Sequence, residues 1–208
     1  MMKLLLGCTA LLIGVTCARF SPAQTRISFS NFAVGTTFPT ATIPRTITAD
    51  GIDVGLSKYN GASSSSGLIV NSQLLGSPDS ALFLAANLRA EIFLPFPAVD
   101  GFFAFRNQGG TNLLEINGQT LNFTDPSLSG SADGTFGGVT VHSAPFSGTF
   151  RSVKIDGAIY SLAFIGQELT IDNVGLYLVP EPATFLLSIA AFAAIPTRRR
   201  KSVPHNRV

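Results

Sequence analysis

Chemistry needs side chains that can give, take or hold something, and this chain has few in convergent patterns. Between residues 24 and 178 there is one histidine, His142, and no cysteine. Nucleophilic catalysis needs a nucleophile, a base and an orienter, and no Gly-x-Ser-x-Gly elbow supplies the first. The serine run Ser63–Ser66 has no fixed backbone setting. A zinc site takes three or four N, S or O ligands, and one histidine without cysteine does not assemble it. His142 falls inside a predicted strand, where it is expected to be structural. Calcium needs only oxygens, so Asp50 and Asp53 in Asp50-Gly51-Ile52-Asp53, and Asp172 in Asp172-Asn173, are the candidate ligands. The spacing is not that of an EF-hand. The simpler expectation is that Asp50 shapes a turn and Asp172 satisfies backbone groups. Twelve acids offer many carboxylate pairs, so no pair stands out as a glycosidase dyad. Sugar binding would need an aromatic platform. The chain has no Trp and three Tyr, and Tyr59, beside the serine-rich stretch, is the stacking candidate. No cofactor is expected. Asn122-Phe123-Thr124 is a glycosylation sequon and is taken as incidental.

Charge narrows the partners. From Gln24 to Pro182 seven cations face all twelve acids, a formal charge of −5, although the whole chain carries +2. The basic excess belongs to the two ends. Nucleic-acid binding needs a basic patch on the folded part, and none is expected. Both cysteines, Cys8 and Cys17, lie in the first twenty residues. Disulfides and thiol chemistry are therefore not expected of the remainder, and stability must come from apolar burial.

Both ends look like addresses. Met1-Met2-Lys3 is a positive start and Leu4–Val15 an apolar run of signal-peptide length. Cleavage after Ala23 uses Ser21-Pro22-Ala23, and cleavage after Ala18 uses Thr16-Cys17-Ala18. The first is preferred, because the second would begin the mature chain at Arg19-Phe20. At the other end stand Val179-Pro180-Glu181-Pro182-Ala183-Thr184, the apolar run Ala183–Ile195, and Arg198-Arg199-Arg200-Lys201. The thirteen residues of this run, with only Thr184 and Ser188 polar, make about 20 Å of helix at ~1.5 Å per residue. A bilayer core is roughly 30 Å thick, so Thr197 and the snorkelling arginines must extend the span. The arginine cluster stays on the cytoplasmic side, and Lys3 agrees with it.

This order of parts resembles the PEP-CTERM sorting signal of bacterial exported proteins, with Val179, Pro180, Glu181 and Pro182 as the motif and Arg198, Arg199, Arg200 and Lys201 as the stop cluster. The resemblance implies recognition by an exosortase-like membrane enzyme. It also implies processing near the motif and an association with exopolysaccharide matrix. It covers the last thirty residues and transfers no activity to the rest.

The elements between the two addresses read as all-β, from period-two alternation broken by turn dipeptides. Asn117-Gly118 and Asp156-Gly157 are expected to close hairpins, and Asp50-Gly51 is read as a turn. Val99–Arg106 puts Phe103 and Phe105 on one face. Ala81–Ala85 and Ala90–Phe96 read as separate strands. In the final strand Leu169 and Ile171, then Val174, Leu176 and Leu178, face one way, so the parity slips at Asp172-Asn173, a β-bulge. Tyr59–Gly67 and Asp125–Gly138 read as loops, with Ser63–Ser66 mobile. The expected fold is an antiparallel β-sandwich of jelly-roll type. Residues 91–105 and 166–174 look like the jelly-roll domains carried ahead of such tails, similar to galactose-binding-like sandwiches. The expected organisation is signal peptide 1–23, β-sandwich ectodomain 24–178, sorting and anchor segment 179–201 with a single transmembrane helix, and cytoplasmic tail 202–208. The leading expectation is a non-enzymatic protein of the cell surface or matrix. The alternatives are a polysaccharide-binding module and a hydrolase with a hidden carboxylate pair.

Overall fold

The longest strand, β13 (Leu162–Leu178), organises the chain. Its residues are buried almost throughout, on both faces, because it is paired along both edges and covered on both sides. A computed structural model describes residues 23–71, 80–129, 133–147 and 150–179. Of the expected signal peptide 1–23 only Ala23 is described, and the expected sorting segment and tail from Pro180 to Val208 lie outside the described residues. Among those described, no helix is long and apolar enough to cross a membrane. Thirteen strands, every pairing antiparallel, and a four-residue helical turn at Pro126–Ser129 make an all-β fold.

The first part of β13 lies between β6 (Ser80–Ile92) and β8 (Leu113–Ile116). Beyond β6 come β4 (Ile52–Lys58) and β3 (Arg45–Ala49), and beyond β8 comes β9 (Gln119–Asn122). The last part of β13 lies between β7 (Ala98–Gly109) and β1 (Ala23–Ile27). Beyond β7 come β12 (Phe150–Ile159), β11 (Val139–Ser147) and β10 (Gly134–Phe136). β5 (Ser66–Asn71) pairs with the start of β6 and carries β2 (Thr37–Phe38). Through β13 the thirteen strands of the described residues are joined into one hydrogen-bonded sheet, whose two parts meet on that strand. Register shifts at Gly166/Glu168 and Asp172/Gly175 let it bend from one part to the other.

Phenylalanines fill the space between the two parts. Phe103 of β7 meets Phe164 of β13 at 4.9 Å between ring centroids, near-perpendicular, and Phe105 meets Phe123 at 4.5 Å. These rings need no polar partner, unlike Tyr or Trp. Asn112, fully buried, fastens the bend. Its Nδ2 donates to Asn107 Oδ1 and to the Gly109 carbonyl, both at 2.7 Å, and its Oδ1 accepts the Gln167 N–H at 2.8 Å.

One of the two expected hairpins forms, at Asn117-Gly118, and the expected turn at Asp50-Gly51 joins β3 and β4 as a hairpin too. Asp50-Gly51 has φ of 51° and 85°, and Asn117-Gly118 has 51° and 77°. Both are the left-handed pairs a two-residue turn requires. Asp156-Gly157 does not close a hairpin. It is a bulge within β12, where the register against β7 shifts between Asp156 and Ile159, and the chain turns later at Tyr160-Ser161. Both edges of β12 are already taken, by β11 and β7, so its continuation has no free edge to return along. Ala81–Ala85 and the start of Ala90–Phe96 are one strand, β6, which is interrupted by Ala86 and Asn87 at φ of 52° and 61° and ends at Ile92, so Phe93–Phe96 lie outside it. The bulge expected at Asp172-Asn173 is present, with Asn173 at φ 53°. Ser63–Ser66 is not a free loop. Ser65 is fully buried, its Oγ donates to the Asn87 carbonyl at 3.2 Å, and Ser66 begins β5. The loop expected at 125–138 contains the helical turn and β10.

Candidate functional site

Strand alternation decides what the second part of the sheet shows outward. Val153 and Ile155 of β12, Phe103 and Phe105 of β7, Val174 and Leu176 of β13 and Ile27 of β1 point into the core. Their neighbours point the other way. One cross-strand row then runs His142, Lys154, Phe102, Gly175, Arg26, each in register with the next. The adjoining row holds Thr140, Asp156 and Asp100 in register, with Tyr177 opposite Gln24.

Phe102 takes its pose from Gly175. A Cβ at Gly175 would stand 2.1 Å from Phe102 Cε1 and 2.2 Å from Cζ. The ring therefore lies down over strand β13, in the room a side chain would have filled. It is half-buried, as is Tyr177 two residues further on. Two shallow concavities flank the ring, of about 550 Å³ and 290 Å³, and both are lined by Phe102 and Ser152. The first reaches His142, Lys154, Asp100 and Tyr177, and the second reaches Arg26 and Gln24.

The charged groups of this face are engaged with one another. Lys154 Nζ lies 2.6 Å from Asp156 Oδ1. That hydrogen bond holds the Asp156 carboxyl below the usual carboxylate range and raises the Lys154 ammonium above its ordinary value. His142 stands between two carboxylates, with Nδ1 2.7 Å from Asp133 Oδ1 and Nε2 3.0 Å from Asp156 Oδ2. A neutral imidazole has one N–H and serves one of them; an imidazolium serves both. Asp100 Oδ1 accepts the Gly157 N–H at 3.1 Å. Arg26 Nε donates to Asn173 Oδ1 at 2.8 Å. These arrangements orient donors and acceptors. They place no activated nucleophile beside a base.

The residues singled out from sequence are dispersed. Asp50 shapes its turn and accepts the Ser28 N–H at 2.6 Å and the Ser30 hydroxyl at 3.2 Å. Asp53 accepts the Thr48 hydroxyl at 2.7 Å across the same hairpin. Asp172 is fully buried and accepts the Asn173 N–H at 2.6 Å. Among the described residues no three acids, histidines or cysteines converge as a metal site. Tyr59 lies in a helical turn after β4, half-buried, and lines neither concavity. Of the motif Val179–Pro182 only Val179 is described, and its N–H donates to the Pro97 carbonyl at 3.0 Å. Arg198–Lys201 lie outside the described residues. Sequence reasoning missed Phe102 and Tyr177, though the signal was there. A strand that turns Phe103 and Phe105 inward turns Phe102 outward, and one that turns Leu176 and Leu178 inward turns Tyr177 outward.

No protein-family model, curated protein or solved structure matches this chain.

Proposed function

We propose that this is an exported, non-enzymatic protein of the cell surface or extracellular matrix, sorted through its PEP-CTERM-like end by an exosortase-like membrane enzyme. One observation of the fold carries the reading. Ala23 and Leu178 are cross-strand partners, and Val179 is held against Pro97 just beyond them. The leader ends and the sorting motif begins at one place on the domain, so both addresses can engage one membrane from the same side. The finer fold assignment, a jelly roll between a signal peptide and a single C-terminal transmembrane helix, belongs to the same proposal.

Intact-mass measurement on membrane and extracellular fractions of the native host tests it. The expected species begins at Gln24 and ends close to Pro180. A species that keeps Arg198–Lys201 in every fraction overturns the sorting reading.

A second reading, a polysaccharide-binding module, is favoured by the Phe102 ring laid over Gly175 on an outward sheet face.

A further inference from the structure

Taking up the polysaccharide-binding reading, we propose that the outward face of β11, β12, β7, β13 and β1 binds a neutral polysaccharide chain laid across the strands, with Phe102 and Tyr177 as its stacking surfaces.

Sheet side chains ordinarily stand upright. Phe102 does not, because Gly175 leaves it room to recline. A reclined, half-exposed ring offers its flat side to what lies above. The apolar C–H face of a pyranose is flat as well, and covering both removes apolar surface from water. Tyr177 follows Gly175 by two residues on the same face, roughly 7 Å along the strand. The platform therefore has two rings side by side, and Tyr177 adds a hydroxyl.

Around the rings stand Asp100, His142, Lys154, Ser152 and Gln24, a mixture of donors and acceptors suited to hydroxyl groups. Lys154 compensates the Asp156 charge locally, and His142 stands within hydrogen-bond reach of Asp133 and Asp156. A polyanion would approach Asp100, Asp133 and Asp156. A polycation would approach Lys154 and Arg26. An uncharged chain meets neither penalty and can use every group. The site is also long rather than deep. From β11 to β1 there are four strand spacings, roughly 19 Å at ~4.8 Å each, and the two concavities on either side of Phe102 follow that direction. This shape suits several linked sugars better than one small molecule.

Other surfaces lack one of these features. Phe93 also reclines on a glycine, Gly55, whose Cβ would stand 2.6 Å from Phe93 Cζ. Its concavity is lined by Arg45, Thr46 and Glu91 and has no second aromatic. The hollow at Leu68, Phe83 and Phe150 is capped by the protein's own Arg106, 5.5 Å above the Phe150 ring.

Affinity gel electrophoresis of the detergent-solubilised full chain tests the assignment. The probes are dextran, glucomannan and hydroxyethyl cellulose as neutral chains, and alginate as the anionic one. Retardation is expected in at least one neutral gel and not in alginate. Phe102→Ala and Tyr177→Ala should each weaken it about three- to ten-fold, the size of an aromatic contact. Phe102→Tyr should retain it, and Phe93→Ala should leave it unchanged. Circular dichroism melts confirm that each variant folds. Migration unaffected by every neutral gel overturns the proposal, as does retardation in alginate alone. Retardation that survives both Phe102→Ala and Tyr177→Ala, or that is lost in Phe93→Ala, places the site elsewhere and overturns it too. The mass measurement on the tail is independent, so sorting can stand while this site falls, and the reverse.

Discussion

Gly175→Ala is the sharpest perturbation of the proposed face, because it removes no group that would contact a ligand and acts only through the pose of Phe102. The new methyl would sit 2.1, 2.2 and 2.8 Å from Cε1, Cζ and Cδ1 of Phe102, where ordinary contact begins near 3.4 Å. The ring must retreat by more than about 1 Å at its tip. Gly175 has no positive φ, so alanine fits its backbone without strain. The atoms in the way are the far end of a half-exposed side chain with two rotatable bonds. The stability cost is therefore that of moving one ring off its preferred rotamer, about 0.5–1.5 kcal/mol, or a melting decrease of about 1–6 °C. Binding loses the reclined ring and should weaken about three- to ten-fold, like Phe102→Ala. Gly101→Ala is the contrast. Its methyl would press at 3.0 Å on Ile159 Cδ1 and on Leu176 Cδ2, inside the core, and overpacking there costs about 1–3 kcal/mol. Thermal melts and affinity gels on both variants separate the two cases. If Gly175→Ala binds like wild type, the ring's pose is irrelevant and the stacking argument fails. If it melts more than about 10 °C lower, the Phe102–Gly175 contact is a core contact and not a surface platform.

Two further outcomes follow from the structure. Asn112→Ala removes donors to Asn107 and Gly109 and leaves the half-buried Gln167 N–H without its acceptor; a loss of about 1–3 kcal/mol is expected, read as a lower urea midpoint at unchanged slope, and a loss below about 0.5 kcal/mol refutes its role as the fastener of the bend. Asp156 is held below and Lys154 above their ordinary ranges. The Asp156 contribution is thus present above about pH 4 and lost as pH falls through its lowered folded value, whereas the Lys154 contribution is present below about pH 10 and lost as pH rises through its raised one. Asp156→Asn should flatten both limbs of the melting-temperature profile slightly, since the pair is exposed, and an unchanged profile would show that the pair is not formed in solution.

How much was legible in the chain depended on whether a residue's own backbone demand decided its structure. Asp50-Gly51 and Asn117-Gly118 need two left-handed residues in succession, and few conformations other than a tight hairpin accept that. Asp156-Gly157 carries the same letters, yet its strand has partners on both sides. There Gly157 supplies a bulge, its N–H held by Asp100. Non-local pairing chose between the two outcomes, and no local pattern reports it. Ser65 shows the reverse error. A serine run looks mobile by composition, but Asn87 and Thr40 supply partners from distant segments. The candidate site was half visible. Alternation assigns Phe102 and Tyr177 to the outward face, but only the cross-strand register of β7 and β13 puts Gly175 under the ring.

The bulge at Asp172-Asn173 joins the fold to the proposed site. Leu169 and Ile171 face the core. Strict alternation from there would turn Asn173, Gly175 and Tyr177 inward and expose Val174, Leu176 and Leu178. The one-residue slip between Asp172 and Gly175 reverses this. It buries the three aliphatic residues, sends Tyr177 outward and sets Gly175 opposite Phe102. The slip is held by Asp172, whose Oδ1 accepts the Asn173 N–H, and by Arg26, which donates to Asn173 Oδ1 from the neighbouring strand β1. Arg26 lines the smaller concavity, but its hydrogen bond to Asn173 makes it a positioning residue for the platform rather than a contact for the chain laid on it. The same strand ends one residue past Tyr177 at Leu178, and Val179, the first residue of the proposed sorting motif, follows it. The register that forms the platform therefore also sets the position of Val179 against Pro97, and β13 cannot be shifted for one without moving the other.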